Sequence, residues 1–194
     1  MKQTPETIRN LIVEQLHKYT GIPVIPEYEI FKAPKYPYIS YKITTAYMDT
    51  GNKIYKWDTA PGTEGFETDA KETLYTQPKL NIIINAYSQD DIEAMTYAKK
   101  CMDWLTHIGR VELEDHNIVV VDTSNIIDKT IHIVDNYEQR YGFDVEIRYT
   151  DIVENTIPGI EEANLTTIIK KDDNSIVKEF IVSIINRIRG KKKQ

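Results

Sequence analysis

Residues 77–105 read QPKLNIIINAYSQDDIEAMTYAKKCMDWL, and they combine an apolar run with an amphipathic one. The first part, Leu80 to Tyr87, is rich in isoleucine and typical of a buried strand. The second part opens with Gln89-Asp90-Asp91, a cap followed by acids, which predicts a helix from there to about His107. Gly109 stands where such a helix ends. A strand that leads directly into a helix predicts a mixed fold.

The apolar residues of this predicted helix recur at helical spacing and indicate the side that faces the core. The predicted inner stripe consists of Ile92, Met95, Ala98, Met102 and Leu105, widened by Cys101 and Trp104.

The N-terminal side of this stretch predicts another helix and another strand. Thr4-Pro5-Glu6 supplies a threonine cap, a proline at the first helical position and an acid in the first turn. Apolar residues then follow at helical spacing up to Gly21. After two prolines that favour extended chain, residues 36–48, YPYISYKITTAYM, alternate and predict a strand.

Residues 49–69 hold three glycines and one proline and predict a long loop, with a short pairing around Ile54–Trp57. A loop of about 20 residues in a compact domain is uncommon. Two interpretations stay open: a disordered excursion, or an arm that becomes ordered against a neighbouring subunit. We prefer the arm.

The C-terminal half predicts more strands and then a change of character. Predicted strands cover Ile118–Val121, Ile131–Val134 and Gln139–Thr150, with Ser124–Ile127 as a continuation or bend. Residues 154–159 resemble a linker. Residues 164–189 fit either a β-hairpin or a helix, and the apolar spacing from Ile176 to Ile188 slightly favours the helix.

These patterns predict an α+β fold with a mainly antiparallel sheet, two helices packed on one face, and a C-terminal extension. The predicted domain covers residues 1–153 and includes the long loop 49–69. Residues 154–194 form the predicted linker and extension.

Composition narrows the class of protein. The 194 residues carry a formal net charge of −6, which argues against a nucleic-acid-binding surface as the main function. No apolar run approaches the roughly 20 residues that a membrane-spanning helix needs, and we expect no signal peptide. Thirteen tyrosines against four phenylalanines favour half-buried sheet faces and protein interfaces, although a tyrosine-rich sheet alone would also account for them.

Residue chemistry predicts no catalytic, cofactor or metal site. The four histidines lack metal-site spacing, and Cys101 falls on the apolar side of a helix, where a structural role is expected. Phosphate-binding and nucleophile motifs are absent from the sequence. The alternative of a different class is a metal-dependent hydrolase or nuclease, for which Asp122 and Glu146 are the only candidates.

Three segments resemble a known family: YPYISYK (36–42), residues 77–105, and IVVVDTSNIIDKTIHIVDNYEQRYGFDVEIRYTD (118–151). In this order and spacing they resemble the neck or tail-terminator proteins of long-tailed phages of Gram-positive bacteria, and the collar proteins of related contractile particles. The resemblance covers roughly residues 20–160 and rests on packing patterns, not on a catalytic signature.

This resemblance implies a non-enzymatic virion protein, made in the host bacterial cytoplasm, that closes into a homo-hexameric ring at the neck. The implied partners are the tail tube protein, a head-side connector or adaptor and, for a contractile tail, the sheath protein. DNA passes through the lumen, and no cofactor or membrane is involved. Another head–tail adaptor or a tail-completion protein is the nearest alternative. An acidic body would also repel passing DNA if it lined the lumen.

A ring of identical copies needs two different faces in contact. We expect this interface on the 49–69 loop, on the strand near residues 137–141 and on the C-terminal extension. The candidate interface residues are Tyr55, Trp57, Phe66, Tyr137, Arg140, Tyr141, Phe180 and Ile184.

Overall fold

A computed structural model describes residues 3–27, 34–62, 68–133, 136–157, 162–167 and 180–185. The chain divides into two compact units. The first comprises Met1–Ile54 and Leu74–Val153, and the second comprises Tyr55–Thr73 and Glu154–Gln194.

The described elements are three helices, one π-helical turn and twelve strands. The helices are α1 (Pro5–Thr20), α2 (Asp91–Asp103) and α3 (Arg110–Asp115), with a π-helical turn over Trp104–Ile108. The first strands are β1 (Val24–Pro26), β2 (Tyr38–Met48), β3 (Lys53–Pro61), β4 (Thr68–Thr76), β5 (Lys79–Ser88) and β6 (Ile118–Thr123). The later strands are β7 (Ile127–Asp128), β8 (Ile131–Ile133), β9 (Asn136–Tyr149), β10 (Asp151–Ile157), β11 (Glu162–Thr167) and β12 (Phe180–Ile185).

Helix α1 begins and ends where its local sequence predicts. The side-chain oxygen of Thr4 accepts a hydrogen bond from the Thr7 amide at 3.2 Å, and Thr7 Oγ1 accepts from the Thr4 amide at 2.9 Å. This reciprocal pair satisfies two amides that the first helical turn leaves unpaired. Gly21 ends the helix with a φ of 74°, a conformation that glycine adopts at little cost.

The first unit is built on a seven-stranded sheet with the order β1-β2-β5-β9-β6, and β7 and β8 also pair with β9. The pairs are antiparallel except for β1 with β2. The α+β class and the mainly antiparallel sheet are therefore confirmed. The number of helices is wrong, because α3 is a third helix where the sequence predicts two.

One face of this sheet carries the core. In the register of β5 with β9, Ile84 lies opposite Phe143 and Ile82 opposite Val145, and all four side chains are buried. Side chains from the helices join the same cluster: Ile8, Ile12 and Leu16 of α1, Ala98 and Cys101 of α2, and Leu113 of α3. The predicted alternation along β9 therefore describes a real buried face.

The predicted inner stripe of α2 is wrong at its first turn. Ile92 is 64% exposed and Met95 39% exposed, while Ala94 and Ala98 are buried. Small side chains permit a close approach to the sheet that larger ones would prevent. The smallest apolar residues, rather than the largest, therefore face the core at this end of α2.

Gly109 is the C-cap of the predicted helix, as expected, but a short third helix follows directly after it. The regular helix ends at Asp103, a π-helical turn follows, and Gly109 leads directly into α3. A Cβ atom at this glycine would overlap the indole ring of Trp104, so the glycine leaves room for the buried ring. Leu113, which is 1% exposed, gives the short helix α3 its place in the core.

Most residues of a second, three-stranded sheet belong to the second unit, and its order is β10-β4-β3. Lys71 on β4 and Glu154 on β10 form an ion pair at 2.9 Å. The predicted pairing around Ile54–Trp57 is confirmed within β3, whereas the predicted loop is wrong over the rest of Lys53–Pro61 and at Thr68–Asp69, which are strand. The predicted 154–159 linker is wrong over residues 154–157, because these continue β10.

Beyond residue 161, the described residues contain an antiparallel pair of strands, β11 and β12. The register runs from Glu162 opposite Ile185 to Thr167 opposite Phe180. The preferred helix is therefore wrong over Phe180–Ile185, and the hairpin alternative fits the pairing. The rest of the predicted helix, at 176–179 and 186–188, lies outside the described residues.

Candidate assembly surfaces

Strand β3 is exposed on both faces. Its residues are exposed throughout except for a half-buried Ala60. Tyr55 is 55% and Trp57 56% exposed on one face, and Ile54 is 68% exposed on the other, since successive strand residues point to opposite sides. Large aromatic side chains at this exposure are typical of surfaces that bind another protein.

The same strand is an edge of its sheet. Among the described strands, β3 pairs with β4 on one side and with none on the other. An open edge presents unpaired amide and carbonyl groups, which another strand could satisfy. Strand β3 therefore offers backbone hydrogen bonding and apolar contact together.

Tyr137 lies at a different place, on the ribbon that β8 forms with the start of β9. It is 62% exposed, and its ring meets that of His132 edge-on at 5.0 Å between centroids. Ile131 on the same ribbon is 45% exposed. This ribbon is the second exposed aromatic surface.

Arg140 contacts residues of its own chain. Its guanidinium group donates to Glu27 Oε1 at 2.9 Å and lies over the Tyr87 ring at 5.2 Å. The two side chains of this ion pair are only 20% and 11% exposed. Arg140 therefore anchors the segment after β1 to the sheet face opposite the core.

Tyrosines extend this opposite face towards the edge of the sheet. Tyr38 stacks on Tyr87 at 4.6 Å, and Tyr36 stacks on Tyr38 at 5.5 Å between centroids. The hydroxyl of Tyr36 donates to Glu138 at 2.5 Å. Burial, together with this hydrogen bond to a carboxylate, raises the pKa of Tyr36 to about 12.

The other predicted interface residues are dispersed. Tyr141 is half-buried, and a hydrogen bond to the Asp91 carboxylate raises its pKa. Phe66 lies outside the described residues. Phe180 and Ile184 belong to β12, but their side chains are not described. The structure places Tyr55 and Trp57 on the same face of β3. Tyr137, Arg140 and Tyr141 share strand β9 but do not form one exposed surface.

A groove along β6 was not predicted. It has a volume of about 250 Å³ and lies between this strand and the helical region. Its lining consists of Leu105, Thr106, Arg110, Leu113, Glu114 and residues 118–123. The apolar run IVVV is typical of a fully buried strand, so the sequence carries no signal that one edge stays open.

The groups considered for catalysis have structural contacts. Asp122 lies opposite Glu146 in the β6–β9 register, and Lys79 donates to Glu146 at 2.6 Å. The Asp122 carboxylate accepts from the Thr123 amide. Burial raises the pKa of the Cys101 thiol to about 12, which keeps it protonated and unreactive at neutral pH.

Within the described ranges, no group of three or more histidine, cysteine, aspartate or glutamate side chains is arranged to hold a metal ion. In the same ranges, no helix has the length and apolar character that crossing a bilayer requires.

A family model described as phage neck terminator protein matches residues 8–172, which include the whole of the seven-stranded sheet. Comparison with curated proteins finds no match. Since the matched range covers most of the chain, the protein belongs to the phage neck terminator family.

Proposed function

We propose that this protein is a structural, non-enzymatic subunit that closes into a ring at the virion neck. The ring, a homo-hexamer, ends the growth of the tail tube and joins it to the head-side connector or adaptor protein. Membership of the neck terminator family indicates the neck location and the tail-related structural role. The ring and its specific partners are our proposal.

The observation that carries the proposal is strand β3. This edge strand is exposed on both faces, and Tyr55 and Trp57 lie on the same face. Apolar side chains exposed together in this way typically mark a surface that binds another protein. Contact with a neighbouring copy would bury this surface and pair the open edge.

The charge of the chain fits a passage for DNA rather than a DNA-binding site. A net charge of −6 repels phosphates and supports a lumen that DNA passes without being held. In this proposal the protein is made in the host cytoplasm and acts in the virion. A sheath protein becomes a further partner where the tail contracts.

The test compares two variants of β3 with one matched control. Tyr55→Ala and Trp57→Ala remove the exposed rings, and Tyr19→Ala removes a 41% exposed tyrosine from α1. Mass measurement and electron microscopy, with and without tail tubes of the same virion, report the oligomer formed. We expect six-fold rings from the wild type and from Tyr19→Ala.

The two β3 variants should require at least tenfold more protein to form rings, because truncation of central aromatic residues at an interface typically costs about 2 kcal/mol or more. Their free energies of unfolding should stay close to that of the wild type, since β3 is exposed in the isolated chain. Rings that form equally well from all variants would exclude β3 as the contact.

The alternatives predict different results. A head–tail adaptor or a tail-completion protein would bind the connector or another tail component and leave tube length uncontrolled. A nuclease would cleave DNA with Mg²⁺ and lose this activity in Asp122→Asn and Glu146→Gln. A monomer with such activity and no affinity for tail tubes would refute the proposed function.

A further inference from the structure

The groove along β6 is bordered by an open sheet edge. Strand β6 ends the order of the seven-stranded sheet, so one of its sides has no partner among the described strands. Val119 is 39% exposed on this strand. Leu105 and Leu113 contribute to the groove lining and are each only 1% exposed. An extended segment lying here would find backbone partners and side-chain pockets together.

The regular part of this edge is its first half. Ile118, Val119 and Val120 pair in sequence with Tyr149, Arg148 and Ile147, and the register shifts between Val120 and Asp122. A bulge bends an edge strand and discourages pairing beyond it. We therefore expect an added strand to pair with Ile118–Val120.

The C-terminal extension provides a strand that lacks support. Strands β11 and β12 form a sheet of only two strands among the described residues. An isolated two-stranded hairpin is marginally stable at best in water. The sequence of β12, FIVSII, is strongly apolar and β-branched, as a strand that enters an apolar groove should be.

The charges flanking the two segments are complementary. Residues 110–123 contain one arginine against the four carboxylates of Glu112, Glu114, Asp115 and Asp122, a net charge of −3. Residues 186–194, directly after β12, contain five basic residues and no acid. Opposite charges across an interface select orientation and exclude wrong partners.

We propose that β12 of one copy adds to the β6 edge of a second copy, an orientation that the opposite charges of the two flanking sequences favour. This contact joins two different surfaces, as the subunits of a cyclic ring require. The inference rests on the proposed ring and adds a second contact between neighbouring copies, beside that of β3.

Disulfide trapping tests the pairing directly. One protein carries Val119→Cys, and a second carries Val182→Cys or Ser183→Cys; two positions are used because neighbouring strand residues face opposite sides. Cys101 stays in place, since its thiol is buried. After mixing on tail tubes and mild oxidation, we expect a disulfide between position 119 of one copy and one of the β12 positions of another.

A lysine placed on the β6 edge tests how much this edge contributes to ring formation. Val119→Lys should reduce ring formation at least tenfold, because an edge lysine opposes strand addition. The matched control is Val111→Lys, which changes a 66% exposed valine of α3 that does not line the groove. This control should form rings as the wild type does, and both variants should keep the circular dichroism spectrum of the wild type.

The outcomes separate this inference from the proposed ring. Rings that form without the trapped disulfide, and that tolerate Val119→Lys, would refute the β12–β6 contact and leave the ring proposal intact. A disulfide only within one chain would refute the exchange between copies. Failure of the wild type to assemble, even on tail tubes, would refute both proposals.

Discussion

Gly142 lies on β9 directly opposite Asn85 on β5, in the middle of the sheet face that carries Arg140. A Cβ atom at this position would overlap Asn85 Oδ1 and would lie 2.7 Å from the carbonyl oxygen of Ile84. The side chain of Asn85, which is fully buried, occupies the space that a larger residue at 142 would need.

Gly142→Ala should therefore lower the free energy of unfolding by about 2 kcal/mol, the usual cost of overpacking a rigid site. Chemical denaturation measures the change. Asp144→Ala, at a position on the same strand and face whose side chain is 60% exposed, should alter stability by less than about 0.5 kcal/mol. Equal stability of the wild type and Gly142→Ala would mean that β5 does not approach β9 closely at residue 142.

Tyr36 sets a limit on stability at alkaline pH. Its folded-state pKa of about 12 lies above the usual value of 10.0, so the folded state holds the proton more tightly than the unfolded state. The resulting stabilisation is complete below pH 10 and is lost as the pH rises towards 12. Burial raises the pKa of Tyr38 as well, in the same direction.

We expect the free energy of unfolding to fall between pH 10 and pH 12, and to fall less steeply in Tyr36→Phe. Urea denaturation across this range measures the slope, with Tyr19→Phe as the control on an exposed tyrosine. A slope that Tyr36→Phe leaves unchanged would contradict the role of Tyr36 but not that of Tyr38.

Among the elements, α1 is the one that local sequence describes most completely. Its cap, its first-position proline and its terminal glycine act over a few residues, so no distant contact is needed to place its ends. The Thr4 cap makes a quantitative prediction possible at this scale.

Thr4→Ala should lower the free energy of unfolding by about 1 kcal/mol, because the Thr7 amide loses its acceptor. Thr96→Ala is the matched control: Thr96 is exposed within α2, and its hydroxyl donates only to the Ile92 carbonyl at 2.7 Å. Denaturation should show little change in this control, since alanine favours a helix interior. Equal losses in both variants would argue against a capping role for Thr4.

Strand β3 shows where local sequence misleads. Three glycines and one proline within 49–69 predict a loop, yet Gly51 only supports the turn before the strand, and Pro61 only ends it. The alternation of Tyr55 with Lys56 and Trp57 was the correct signal. Strand pairing with β4 then outweighs the turn-forming residues on either side.

For the whole molecule, long-range contacts decide most of what the sequence does not predict. Arg140 was a candidate interface residue because of its neighbours along β9, but its partner Glu27 is 113 residues away. The β6 groove likewise forms between elements that local patterns treat separately. Resemblance to the neck terminator family predicted the neck location, because it compares the order and spacing of several segments at once.

The division into two units predicts that the first unit folds without β3. Replacing residues 55–73 with a short glycine–serine linker removes Trp57 and leaves Trp104 as the single tryptophan. Because Trp104 is 4% exposed, its fluorescence should stay blue-shifted and should change in one cooperative step on denaturation. A red-shifted spectrum in native buffer would show that the first unit depends on the removed residues.

Strand β9 pairs with β5, β6, β7 and β8, and all four precede it in the chain. During synthesis, the sheet therefore stays open until residues 136–149 leave the ribosome. A chain that terminates earlier keeps the β5 edge unpaired and the apolar face of the sheet uncovered, which favours aggregation and degradation. The position of this strand therefore delays completion of the sheet until translation has passed Tyr149.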